Sequence, residues 1–122
     1  MAYSPIGRGV LTGRIASLDD LPENDSRRLF PKYSTANFPK INQLVDKLKQ
    51  VAAVHNCSAA QACIAWVMAQ GDDIIPIPGT KTIKYLEENV AAARVQLTER
   101  EVAELRECAS AMELSGTRYP AA

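Results

Sequence analysis

At 122 residues, with 47% hydrophobic and 23% charged side chains, the chain has the size and composition of a single globular domain, which excludes a disordered polypeptide. Its 14 basic and 14 acidic side chains cancel, so the overall charge recruits neither nucleic acid nor an anionic membrane, and neither is expected as a partner. Apolar runs such as Ile64 to Ala69 are far short of the ~20 residues that a membrane helix needs, and MAYSPIGRG has no basic-then-apolar leader pattern. The expected compartment is the cytoplasm. Cys57, Cys63 and Cys108 are odd in number and lack a CxxC, so they read as reduced, partly buried thiols, with no metal site.

Met1 to Ser4 reads as the end of a strand, running into a loop punctuated by Pro5, Gly7, Gly9 and Gly13. Residues 14 to 38 are polar and without a period, with Pro22, Pro31, Asn24, Asp25, Arg27 and Arg28, and are expected to form a long surface loop. From Pro39 to about His55, Ile41, Leu44, Val45, Leu48, Val51 and Ala52 recur at helical spacing. A capping box of Ser58 and Gln61, with Gly71 beyond, brackets a second helix at 59 to 70.

Asp73 to Pro78 reads as a short buried strand feeding a turn at Gly79. Thr80 to Ala93 reads as a helix starting near Thr82, with Ile83, Leu86 and Val90 on one side. Thr98 and Glu101 form another capping box, which opens a final helix through Met112; residues 116 to 122 read as surface coil. Strands alternating with helices imply parallel pairing in an α/β fold. Two parallel strands cannot close a sheet, so the pattern reads as part of a larger one.

Two stretches carry a resemblance to a known family. AYSPIGRGVLTG at 2 to 13 resembles the strand-seven loop of the aldo-keto reductases, and IIPIPGTKTIKYLEENVAA at 74 to 92 resembles their strand-eight loop and helix. CSAAQACIAWVMAQ, between them, is similar to the family helix leading into the last strand. Each motif is moderately specific alone; both in this order, about 60 residues apart, make a specific signal. The resemblance implies an α/β fold made of the last two strands of a (β/α)8 TIM barrel, their helices and two additional helices, with residues 1 to 122 as the C-terminal portion of one domain. Such barrels typically need roughly 250 residues and bind ligands at the C-terminal ends of their strands.

The resemblance also implies NADP(H) as cofactor and assigns residues to it. Tyr3, on residue pattern alone a core tyrosine at a strand end, becomes the aromatic on which nicotinamide stacks. Ser4, Pro5, Ile6, Gly7 and Arg8 become the loop along the pyrophosphate, where glycine permits close backbone approach and Arg8 supplies charge. Gly79, Thr80, Lys81 and Thr82, otherwise an ordinary capped helix start, become the turn that receives the adenosine 2′-phosphate. Glu88 and Asn89, otherwise polar helix residues, become the partners of the adenine edge.

Tyr85 stands where many members have an arginine that clamps the 2′-phosphate, and Thr82 where a basic residue is common. Lys81, with Lys84 as helper, is then the charge available. GRGVLTG is not the GxGxxG of a dinucleotide-binding fold, nor is GTKT a phosphate-loop sequence, because the spacings differ.

The family reaction is hydride transfer between nicotinamide and a carbonyl or alcohol, with tyrosine, lysine, aspartate and histidine from early strands. No segment matches those, and no catalytic residue is assigned: Tyr33, Tyr119, Lys32 and His55 lie in other motifs, His55 reading as solvated between two helices. The expected partners are the N-terminal half of the barrel and, in the complete enzyme, a carbonyl-containing small molecule. A non-catalytic NADP(H)-binding or interaction module of the same family is the alternative.

Overall fold

A computed structural model describes residues 1–112; the coil expected at 116 to 122, and Tyr119 with it, lies outside the described residues. Strand β1 (Ala2–Tyr3) pairs in parallel with β2 (Pro76–Ile77), with Ala2 opposite Pro76 and Tyr3 opposite Ile77. The helices are α1 (Phe38–Val54), α2 (Ala59–Met68), α3 (Ile83–Ala91) and α4 (Glu99–Ser110), a helix-rich α/β arrangement.

Helix α1 forms where the apolar period predicts it and buries those same positions, together with Phe38. Pro39 in its first turn gives up an amide that has no helical partner there. It stops at Asn56, whose φ of 53° is left-handed. The Cys57 and Asn56 amides bond back to Ala52 O (3.0 Å) and Ala53 O (3.4 Å), a Schellman closure with asparagine in the place of glycine. Ser58 then opens α2 through its box with Gln61. α2 is the central helix, burying Ala59, Ala60 and all of Ala62 to Ala65. The box of Thr98 and Glu101 opens α4, which ends at Ser110, two residues before the expected Met112.

One core cluster joins α1, α2 and α4 through Leu44, Leu48, Val51, Ala62, Cys63 and Leu105. A second joins Val10, Tyr33, Phe38, Ile41 and Val45. That second cluster corrects the expectation of a surface loop over 14 to 38. The segment folds into three short 3-10 turns, Leu18–Asp20, Ser26–Leu29 and Pro31–Tyr33, and buries Leu21, Tyr33 and Asn37. Its polar composition is compatible with burial because several of its polar groups are paired internally: Asn37 Nδ2 donates to Lys32 O at 2.9 Å, and the Arg28 guanidinium to Leu18 O and Leu21 O at 2.8 and 2.7 Å.

The strand at 73 to 78 is also shorter and less buried than expected. Ile75 and Ile77 are 60% and 47% exposed, because β2 has a neighbour on one edge only among the described residues. The apolar side of α3 is open as well: Ile83, Leu86 and Val90 are all exposed.

Candidate functional site

Parallel pairing sends both strands out at the same end, so the glycine loop after β1 and the turn after β2 begin side by side. Between them lies a cleft of about 510 Å³. One wall is Tyr3 to Ile6 with Arg8, and the other is Ile77 to Thr80. Tyr85, Glu88 and Asn89 of α3 close a third side. The structure therefore brings together ten of the thirteen residues singled out from sequence; Gly7, Lys81 and Thr82 lie off the cleft wall. Nothing lies within 4 Å of a Cβ placed on Gly79, which leaves that wall open to close approach.

The loop after β1 takes a tight path. Gly7, Arg8 and Gly9 have φ of 59°, 56° and 89°, and Ser4 is left-handed at 49°. Gly7 and Gly9 adopt this region freely, whereas Ser4 and Arg8 do so at a cost of order 1–2 kcal/mol each. Local bonds hold the turn: Gly7 N–H to Ser4 O (3.0 Å), Gly9 N–H to Ile6 O (3.1 Å) and Thr12 Oγ1–H to Gly9 O (2.7 Å). From below, the buried Cys63 thiol donates to Pro5 O at 3.0 Å, and burial pushes that thiol up to about 12.

From the side, Arg27 donates to Arg8 O at 2.9 Å while its guanidinium grips Asp25 (2.7 and 3.0 Å). That grip, first through the side-chain bond and then the Arg27 amide, holds the Asp25 carboxyl at about 2 and raises Arg27 further above its ordinary range. The Arg8 guanidinium lies 4.3 Å over the Phe30 ring.

At the other side of the cleft, Thr82 caps α3 by accepting from the Tyr85 amide (3.4 Å), and Thr80 Oγ1 accepts from the Thr82 amide (3.2 Å). Of this turn Thr80 lines the cleft, and α3 meets it through Tyr85, Glu88 and Asn89. Lys81 is exposed, and Lys84 Nζ is 5.9 Å from the Tyr85 ring.

The sequence reading missed one cation that lines the cleft. Arg14 lies with its guanidinium 4.2 Å over the Tyr85 ring and 3.4 Å from Glu88 Oε2. Arg14 therefore joins Arg8 as a cation on the cleft wall, from which Lys81 is absent. A basic residue directly after Gly13, the last glycine of the loop, was the signal available; its partners lie 71 and 74 positions downstream. Glu88 is also fixed from its other side, with Oε1 accepting from Ser58 Oγ at 2.7 Å and its carbonyl from Gln61 Nε2 at 3.0 Å.

His55 is not the solvated residue that its position suggested. Its Nε2 lies 2.8 and 2.9 Å from the two oxygens of Glu101, tying the end of α1 to the start of α4. Cys57, Cys63 and Cys108 are free thiols.

The aldo/keto reductase family model matches residues 1–110. Aldo-keto reductase str7 of Strobilurus tenacellus is 53% identical over 118 residues, 97% of this chain and 35% of its own length. The aldo-keto reductase yakc, named with NADP(+), of Schizosaccharomyces pombe is 49% identical over 98% of this chain and 35% of its own length. Probable aldo-keto reductase 1 of Glycine max is 35% identical over 96% of this chain and 34% of its own length. The chain thus spans about a third of the length of these curated relatives.

Proposed function

The chain belongs to the aldo-keto reductase family, and from that premise we propose that it supplies the NADP(H) site of an oxidoreductase whose substrate is a carbonyl-containing small molecule. On this reading residues 1 to 122 are the C-terminal portion of one (β/α)8 domain, β1 and β2 its last two strands, and the early strands bring the catalytic residues. The S. pombe relative, named with NADP(+), supports the choice of cofactor.

One observation carries the reading: the glycine loop after β1, the turn after β2 and one side of α3 converge on a single cleft at the strand ends, with Arg8 and Arg14 lining it. Such a cleft suits a dinucleotide bearing several phosphates, because its two guanidiniums meet anions from different directions. Tyr3 offers a flat apolar face to nicotinamide, and Ser4 to Arg8 run along the pyrophosphate. Gly79 to Thr82, with Arg14 held on Tyr85, receive the 2′-phosphate; Glu88 and Asn89 meet adenine. When bound, the cofactor supplies or accepts the hydride, and this chain's residues orient it and keep its phosphates neutralised.

The test is a fluorescence titration with NADPH of a fusion that joins this chain to the N-terminal part of the S. tenacellus relative. Saturable binding, with NADPH oxidation on addition of an aldehyde, is the expected result. A folded fusion that binds no NADPH overturns the reading, and binding without turnover points to a non-catalytic module.

A further inference from the structure

Tyr33 is 3% exposed, yet its hydroxyl bonds to a loop 26 residues earlier in the chain. The hydroxyl donates to Gly7 O at 3.1 Å and accepts from Arg8 Nη1 at 3.3 Å. These are two of the three successive residues with left-handed backbone. Arg27 takes the next carbonyl, Arg8 O, so two neighbouring carbonyls are occupied by donors from the 14 to 37 segment. A carbonyl occupied in this way does not present its negative end to an incoming anion. The Arg8 guanidinium is oriented by the same group, stacked on Phe30 at 4.3 Å while Phe30 packs tilted on Tyr33 at 6.1 Å between centroids. Arg8 lines the cleft and Tyr33 does not.

We propose that Tyr33 is a positioning residue of the cleft: through Gly7 O and Arg8 it sets the loop and the guanidinium that meet the pyrophosphate, without touching the cofactor itself. This rests on the cofactor reading above. Nothing in the sequence separates Tyr33 from an ordinary core aromatic; only its hydroxyl contacts do.

Tyr33→Phe in the fusion deletes the hydroxyl and keeps the ring that packs with Val10, Phe38 and Ile41. Loss of one such hydrogen-bonding group is expected to weaken NADPH binding about 2- to 13-fold. Adenosine 2′-monophosphate, which has no pyrophosphate, should keep its affinity. The double variant with Arg8→Ala should lose less than the sum of the two single losses, because both act on one group. Equal weakening of both ligands would mean that Tyr33 merely supports the fold, and strictly additive losses would uncouple it from Arg8; either result overturns the proposal. A fusion that binds NADPH and tolerates Tyr33→Phe unchanged removes the positioning role alone. An unmutated fusion that does not bind removes the cofactor reading and the positioning role with it.

Discussion

Arg14→Ala tests whether the guanidinium stacked on Tyr85 is the cation of the proposed 2′-phosphate site. In the free protein Arg14 is half exposed, so its pair with Glu88 contributes about 0–1 kcal/mol and its stack on Tyr85 about 0.5–1 kcal/mol. Removing it should therefore leave the fold intact. A charge-assisted phosphate contact is worth roughly 1.5–3 kcal/mol, so NADPH should bind about 10- to 150-fold more weakly. The variant also leaves the Glu88 carboxylate without its cation close to an incoming dianion, which adds to the loss. NADH lacks the 2′-phosphate and should change only a few-fold. Fluorescence titration of both cofactors against wild type, Arg14→Ala and Lys81→Ala makes the comparison. Lys81→Ala should cost less, about 10-fold or below, because Lys81 is exposed and off the cleft wall. Equal losses for NADPH and NADH in Arg14→Ala, or a larger loss from Lys81→Ala, would refute the reasoning.

Three further outcomes follow from the packing. The folded Asp25 carboxyl is depressed from 3.8 to about 2, so its stabilisation is complete above 3.8 and disappears as pH falls through 2; after allowance for solvent screening this is about 1 kcal/mol. Denaturant unfolding between pH 5 and 2 should show that slope, and Asp25→Asn should flatten it. Glu101 is pushed up by burial but brought below its ordinary value by the Thr98 amide and His55. Glu101→Gln should therefore cost about 1 kcal/mol near neutrality, and the difference from wild type should vanish as pH falls through the carboxylate range in thermal melts. Cys63, buried and titrating near 12, should react with an exposed-thiol reagent only after denaturation, which a labelling time course with mass spectrometry would read.

Much of the fold is written in local signals. The capping boxes at Ser58 and Thr98 mark the starts of α2 and α4 because each is settled by residues three apart. The apolar period of α1 predicts its buried face because a helix places those positions on one side by geometry alone. The parallel pairing is legible from the alternation of strand and helix. The 14 to 38 segment is not, because its burial comes from single contacts such as Tyr33 with Gly7, which have no period. Arg14 escaped for the same reason: its neighbours Tyr85 and Glu88 are brought to it by tertiary packing, through the pairing of β1 with β2 and the bonds of Glu88 to Ser58 and Gln61.

The misread segment and the candidate cleft are parts of one arrangement. A loop with two non-glycine residues in left-handed backbone carries strain of order 2–4 kcal/mol, and it holds its shape only where neighbouring groups over-determine it. Here those groups come from the aperiodic segment: Tyr33 on Gly7 O, Arg27 on Arg8 O, Phe30 beneath Arg8. Arg27 is in turn fixed by Asp25, so the clasp is held by an ion pair and does not rely on a freely rotating side chain. A loop fixed before a ligand arrives has less conformational freedom to lose on binding, which would favour the pyrophosphate contact proposed for it. The segment has no period because it builds no helix or strand; its side chains are spaced to reach the loop carbonyls and one arginine.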